Sequence, residues 1–267
     1  MQPDPTPHHD VNELLSILLV RTQATLGDRL VGLYLFGSIA TADFDRESSD
    51  IDFLAATAGE LDDREVERLR LMHEEIAANG GPWGARVEGA YVSLSALRRY
   101  DPAYRQPFLS GQDTPFGVTE LGADWVINRH ILREKGVVLY GPSPATLIDP
   151  VSHEQLIDAV RDELRGSWSW FLEAPQRLRP RRYQAFAVLT LCRALYALDR
   201  GQLASKAQAA LWAKGALGPE WVTLIDRALA SRHDETVDNT SLQETLRFLR
   251  YAVGRASRYD RAGDCRA

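Results

Sequence analysis

Hydrophobic and polar positions divide the chain near Pro150 into two parts with different periodicities. Before this point, apolar residues at helical spacing over 11–19 predict a first helix, with Asp10 as its cap. Short apolar runs predict strands at 32–36, 51–55 and 86–93. Beyond it, strand-like runs disappear and apolar residues recur three and four apart, which predicts a bundle of about four or five helices.

These two patterns predict two domains. Residues 1–150 are expected to form an α/β domain with a mixed sheet and flanking helices, and residues 151–267 an α-helical bundle domain. A chain of 267 residues exceeds the usual size of one domain, which agrees with this division. No run approaches about 18 apolar residues and the first ten residues are polar, so we expect neither a membrane span nor a secretion signal.

The composition narrows the class of protein further. With 45% hydrophobic and 25% charged residues, it is typical of a soluble globular protein. The two cysteines, Cys192 and Cys265, lie far apart without metal-ligand spacing, which indicates a reducing compartment and predicts a cytoplasmic protein. A net charge of −6 argues against a nucleic-acid partner and favours a cationic small molecule. We expect a monomer with no membrane partner.

Two acids stand where the second strand should begin. The segment Ser49-Asp50-Ile51-Asp52 starts eleven residues after Ser38. Alternate side chains of a strand share a face, so Asp50 and Asp52 point the same way with Cα atoms roughly 6.5 to 7 Å apart. Such carboxylates repel unless a cation lies between them, and their oxygens suit Mg²⁺ held jointly with substrate phosphates. The pair predicts a metal and nucleotide site.

Gly37-Ser38 and Glu88 complete the predicted site. Gly37 allows the backbone to approach a phosphate, and amides of the following short helix, with the Ser38 hydroxyl, can donate to its oxygens. Glu88 lies in the third strand, which should neighbour the second, so it is the candidate general base for an attacking hydroxyl. A lone Gly-Ser or Asp-x-Asp usually marks a turn or a solvated loop, whereas their combination in strand context favours catalysis.

This combination resembles the DNA polymerase β-like nucleotidyltransferase superfamily. Three later segments, 141–151, 189–196 (LTLCRALY) and 201–213, resemble the spectinomycin/streptomycin adenylyltransferases, so that the resemblance covers roughly residues 30–255. It implies a polymerase β-like nucleotidyltransferase domain followed by a helical domain that closes over it. ATP and Mg²⁺ would bind between the two. In the family, the connection that corresponds to 101–122 supplies aromatic contacts to the drug. This connection is shorter here, and the aromatic residues that could substitute are Tyr100, Tyr104, Phe108 and Phe116.

The resemblance also implies a reaction and roles for individual residues. The reaction is transfer of AMP from ATP to a hydroxyl of an aminoglycoside or aminocyclitol, with release of pyrophosphate. Asp50 and Asp52 would bind Mg²⁺, and Glu88 would contact the acceptor and act as the base. The residues implied in nucleotide binding are Gly37, Ser38, Ser49, Arg193 and Lys206.

The acceptor and the activity each leave alternatives open. By a gap-free count, Ala174 and Arg179 occupy the positions of a tryptophan and an aspartate in members that accept streptomycin, so we expect spectinomycin instead. One alternative is nucleotidyl transfer to a different small-molecule or protein hydroxyl. The other is a catalytically inactive nucleotide-binding module, against which the joint presence of Ser38 and the three acids argues.

Overall fold

The computed structural model describes residues 4–110, 114–120 and 122–263. Contacts between Cα atoms divide the chain into two compact units, Met1–Val151 and Ser152–Ala267. The first contains a sheet with helices, and the described part of the second is helical apart from one isolated β-bridge between Pro180 and Val237. The predicted fold class, an α/β part followed by an α-helical part, is therefore confirmed.

The sheet of the first unit is mixed, as predicted. Its strands are β1 (Leu30–Leu35), β2 (Ile51–Thr57), β3 (Val87–Ser93), β4 (Arg105–Ser110), β5 (Thr114–Glu120) and β6 (Val137–Tyr140). They lie in the order β5-β4-β3-β2-β1-β6. The β2–β3 pair is parallel and the other pairs are antiparallel. The predicted adjacency of the second and third strands is confirmed, and the first strand pairs with the second.

The β4–β5 hairpin lies in the segment that the sequence suggested was only a connection. The pattern of β5 is weak, because Pro115 and Gly117 interrupt it and Val118 is exposed on an edge strand. Phe116 packs against the ring of His73 in the core, with ring centroids 5.5 Å apart. Phe116 is partly buried and packs against the core cluster.

The helices of the first unit are α1 (His9–Leu26), α2 (Gly37–Ala40), α3 (Asp63–Asn79), α4 (Gly81–Gly84), α5 (Leu94–Arg98), α6 (Asp124–Lys135) and α7 (Pro144–Leu147). Leu18 of α1 and Leu69 of α3 belong to one buried cluster with Ile51 and Phe53 of β2. Because side chains alternate along a strand, Asp52 points to the opposite face of the sheet. Leu54 and Ala56 on that face are also buried, so only the start of β2, at Asp52, is partly exposed to the predicted site.

The first helix does not begin as the sequence predicted. Its N-terminal cap is His8, which makes no side-chain capping bond, and Asp10 lies inside the first turn. Asp10 instead accepts hydrogen bonds from Arg46 and Trp83, which are distant in sequence. Tertiary contacts have therefore overridden a local capping signal.

The second unit is built around one long helix. Its helices are α8 (His153–Glu163), α9 (Ser169–Glu173), α10 (Arg181–Arg200), α11 (Lys206–Ala216), α12 (Val222–Ala230) and α13 (Asn239–Gly263). α10 contacts α11, α12 and α13, and its Val188 and Leu191 are fully buried. Ser152 and Ser205 cap α8 and α11 through capping boxes with Gln155 and Gln208. Across the described residues, no helix combines the length and apolar character needed to span a bilayer.

Candidate active site

The acids predicted to be catalytic meet at the entry of β2. Asp52 and Glu88 are direct partners in the parallel pairing of β2 with β3. Adjacent strands lie about 4.8 Å apart and in-register residues share a face, so these two carboxylates leave the sheet side by side. Asp50 stands one residue before β2, with its side chain 45% exposed. The structure therefore brings the three acids to one place.

This set of acids fits a magnesium ion that substrate phosphates help to bind. Carboxylate oxygens are the ligands Mg²⁺ prefers, and it usually takes only one or two from the protein. In the described segments, no three His, Cys, Asp or Glu side chains form a ready metal cluster. Asp50 and Asp52 can supply the protein's share, and a nucleotide would complete the coordination.

Gly37 is in direct contact with Asp52. Its φ is +59°, and a Cβ atom at this position would lie 1.9 Å from Oδ2 of Asp52. Phe36 N donates a hydrogen bond to the carbonyl oxygen of Asp52 at 3.1 Å. Only glycine combines this backbone conformation with this close approach. The predicted phosphate-binding turn is thus packed against a predicted metal ligand.

Ser38 has the unsatisfied hydroxyl that a phosphate-binding residue requires. Its Oγ atom is buried and finds no hydrogen-bond partner among the residues that the structure describes. A buried polar group without a partner costs about 1–3 kcal/mol, which a ligand oxygen can recover. Ser38 therefore fits the predicted triphosphate contact.

Ser49 has a structural role in the same region. Its Oγ accepts a hydrogen bond from Asp45 N at 3.0 Å, and Ser49 N donates to Asp45 O at 2.8 Å. These bonds shape the loop that leads into β2. The hydroxyl oxygen accepts a hydrogen bond here. The same hydroxyl could still donate its proton to a nucleotide oxygen.

Arg193 and Lys206 lie together in the second unit, at the corner between α10 and α11. Arg193 Nε donates to Ala204 O at 3.2 Å, and Lys206 Nζ lies 5.3 Å from the ring centroid of Phe186. Thr190, one turn before Arg193, has a buried Oγ1 without a partner in the described part of the chain. Lys206 is also the first residue of α11, where a cation is unfavourable unless an anion binds. This corner suits phosphate oxygens.

Sequence reasoning did not identify Arg86, which contacts the loop at the site. Its Nε lies 3.8 Å from Oδ1 of Asp50, and its guanidinium stacks on Trp83 with Cζ 4.4 Å from the ring centroid. An arginine beside a strand has no local signature, because charged residues commonly flank strands. Only the Trp83-x-x-Arg86 spacing hinted at a stacked pair.

Known proteins resemble most of the chain. Residues 146–254 match the family model of the aminoglycoside adenylyltransferase C-terminal domain. An aminoglycoside (3'') (9) adenylyltransferase of Shigella flexneri is 28% identical over 248 residues, which cover 85% of this chain and 90% of that protein. A relative of the same name from Escherichia coli is 28% identical over 249 residues, with coverage of 85% and 90%.

A solved structure shares the fold. It is the spectinomycin adenyltransferase AAD(9) from Enterococcus faecialis, determined with ATP and spectinomycin. The TM-score is 0.73 at 19% identity, with 91% of this chain and 98% of that chain covered. The fold, the arrangement of acids and these relatives define a nucleotidyltransferase. More narrowly, the chain is similar to the aminoglycoside adenylyltransferases, so the predicted resemblance and enzyme class are confirmed.

Proposed function

We propose that the protein transfers AMP from ATP to a hydroxyl of an aminocyclitol, spectinomycin in preference to streptomycin, in a magnesium-dependent reaction. The observation that carries the proposal is the in-register pairing of Asp52 with Glu88 directly beside Gly37. This geometry supports a metal ligand, a base and a phosphate-binding turn within one small region. The relatives, named as adenylyltransferases, support the same chemistry.

In the proposed reaction, each of the three acids has a defined role. Asp50 and Asp52 would hold Mg²⁺ together with phosphate oxygens, and the ion would offset the charge that develops on the phosphates. Glu88 takes the proton of the acceptor hydroxyl as its oxygen attacks the α-phosphorus of ATP. The bond from that phosphorus to the bridging oxygen breaks, so pyrophosphate leaves and the acceptor carries AMP through a new phosphodiester.

The other predicted residues bind the nucleotide. Gly37 and Ser38 would contact the triphosphate through the turn and the unpartnered hydroxyl. Arg193 and Lys206 would contact ATP from the α10–α11 corner. The proposed nucleotidyltransferase domain covers residues 1–150 and the proposed helical domain residues 151–267.

Charge and sequence differences support the proposed acceptor. The net charge of −6 suits a cationic drug and disfavours nucleic acid. Ala174 is buried, and Arg179 replaces an acid of the streptomycin-accepting members with a base. An arginine at this position would repel the strongly cationic streptomycin. The proposal includes a monomeric, cytoplasmic enzyme that acts on a small molecule and needs no membrane partner.

Pyrophosphate release tests this proposal. Wild-type protein is given ATP and Mg²⁺ with spectinomycin, with streptomycin or with no acceptor, and Glu88→Gln is compared under the same conditions. We expect release that depends on spectinomycin, and a fall in kcat of about 10² to 10⁴ in Glu88→Gln because the base is lost. Glu67→Gln, at an exposed position of α3, is the matched control and should keep wild-type turnover.

Each alternative predicts a different result. Pyrophosphate release that does not respond to any drug would indicate a different acceptor. Absence of turnover in wild-type protein would indicate a nucleotide-binding module without catalysis. Full activity in Glu88→Gln would exclude Glu88 as the base.

A further inference from the structure

The loop at 41–50 connects α2 to β2 and carries Ser49 and Asp50. Hydrogen bonds between Asp45 and Ser49 form a turn within the second half of this loop. Glu47 N adds a bond to Oδ1 of Asp45 at 2.9 Å. These local bonds set the shape of the loop, but they do not attach it to the neighbouring strand β3.

Arg86, which directly precedes β3, makes that attachment. Its two terminal nitrogens donate to the backbone oxygens of Arg46, at 2.8 Å, and of Ser49. Its Nε lies 3.8 Å from Oδ1 of Asp50, and its own carbonyl accepts from Ile51 N at 2.8 Å. A guanidinium presents five N–H donors in a rigid fork, so one side chain reaches several points of the loop at once.

Trp83 and Asp10 in turn hold Arg86 in place. Its guanidinium stacks on Trp83, which is 3% exposed and donates from Nε1 to Oδ2 of Asp10 at 2.8 Å. Asp10 also accepts two hydrogen bonds from Arg46, at 2.9 and 2.8 Å. These contacts and the bond from Arg86 to the backbone oxygen of Arg46 connect four residues in a closed ring. We call this ring the Arg86 clamp, and it consists of Arg86, Trp83, Asp10 and Arg46.

The clamp remains charged over a wide pH range. Hydrogen bonds from Arg46 and then from Trp83 hold the pKa of Asp10 well below its usual range. Asp10 therefore stays ionised at every pH at which the enzyme would be assayed. The ring also joins the first turn of α1 to the loop and to the segment before β3, so three separate parts of the chain are fastened together.

We propose that Arg86 is a positioning residue for adenylyl transfer, which sets Ser49 and Asp50 in place relative to Asp52 and Glu88. The sheet holds Asp52 and Glu88 directly, whereas Asp50 is 45% exposed and depends on the loop. A metal site needs both of its carboxylates in a fixed geometry, and residues that orient a ligand are as necessary as the ligand. The inference rests on the proposed function, because Asp50 must act as a metal ligand.

The dependence of turnover on magnesium tests this role. Arg86→Lys keeps the charge but loses the fork, and Arg86→Met loses both. We expect the Mg²⁺ concentration for half-maximal pyrophosphate release to rise about 10- to 100-fold in Arg86→Met, and by less in Arg86→Lys. The KM for spectinomycin should stay within about twofold of wild type, because the clamp orients a metal ligand and not the acceptor.

Arg21→Lys is the matched control. Arg21 lies on α1 of the same unit and makes an exposed ion pair with Glu75 at 3.2 Å. Its variant should have the wild-type magnesium requirement. Thermal unfolding followed by circular dichroism establishes that each variant is folded, and Arg86→Lys decides the question if Arg86→Met does not fold.

Asp50→Asn separates the two hypotheses. If Asp50→Asn keeps wild-type turnover, the proposed metal role of Asp50 is wrong and the positioning role falls with it. If Asp50→Asn is inactive but the Arg86 variants keep the wild-type magnesium requirement, only the positioning role is wrong. A lower melting temperature with an unchanged magnesium requirement would likewise overturn it, because it would show that Arg86 acts on stability alone.

Discussion

Replacement of Gly37 by alanine should inactivate the enzyme while leaving it folded. The added Cβ atom would lie 1.9 Å from Oδ2 of Asp52, and ordinary contact begins at 3.4 Å, so the carboxylate must move by about 1.5 Å. A displacement of about 1 Å in a reacting group can cost about 100-fold in rate. The positive φ of +59° adds strain of about 1–2 kcal/mol to the folded state.

Gly27→Ala separates the displacement of the Asp52 carboxylate from the backbone strain. Gly27 also has a positive φ, +52°, but no atom lies within 4 Å of a Cβ built there. Both variants are compared with wild type by pyrophosphate release with spectinomycin and by urea denaturation. We expect the free energy of unfolding to fall in both variants, with kcat/KM reduced about 100-fold or more only in Gly37→Ala.

Two results would contradict this reasoning. Gly37→Ala with turnover close to wild type would show that the position of Asp52 does not limit the reaction. An equal loss of activity in Gly27→Ala would show that strain or lower stability, and not displacement of a carboxylate, accounts for the effect.

Two further predictions concern the buried side chain of His73 and the charged side chain of Lys206. Burial lowers the pKa of His73 to about 3, so below about pH 6.5 only the unfolded chain takes up this proton. The contribution of neutral His73 to the free energy of unfolding is fully present above pH 6.5. It falls by about 1.4 kcal/mol per pH unit below pH 6.5. Urea denaturation therefore measures the difference in the free energy of unfolding between pH 7 and pH 5, and this difference should be about 2 kcal/mol smaller in His73→Gln than in wild type. An equal difference in the two proteins would show that another group causes the pH dependence. Lys206→Met should raise the KM for ATP about tenfold by loss of a phosphate contact, whereas Lys214→Met on the same helix, which breaks an ion pair with Asp226, should not. Equal KM values in the two variants would remove Lys206 from the nucleotide site.

Much of the candidate site could be predicted because it depends on short-range rules. The spacing of Asp50 and Asp52 follows from the alternation of side chains in a strand, and Glu88 is their neighbour because sequential strands tend to pair. The helical unit followed from apolar residues recurring three and four apart. Each of these features is encoded by residues that are close together in the sequence.

Three other features could not be predicted from the pattern. The sequence indicated a connection where the β4–β5 hairpin lies, because an exposed edge strand does not need alternating apolar residues. It also assigned Asp10 to a helix cap, although Asp10 contacts Trp83, 73 positions along the chain. The packing of Gly37 on Asp52 likewise depends on two segments that meet only in the folded sheet.

The sequence by itself predicted which residues would carry the chemistry, because strand periodicity and residue type are local properties of the chain. It also predicted that the second and third strands are neighbours, because sequential strands tend to pair. Only the tertiary structure decided what holds Asp50 in place, since the Arg86 clamp joins Asp10, Arg46, Trp83 and Arg86 through contacts between distant segments. Such contacts depend on the folding of the whole unit, and no local pattern of hydrophobic and polar residues encodes them.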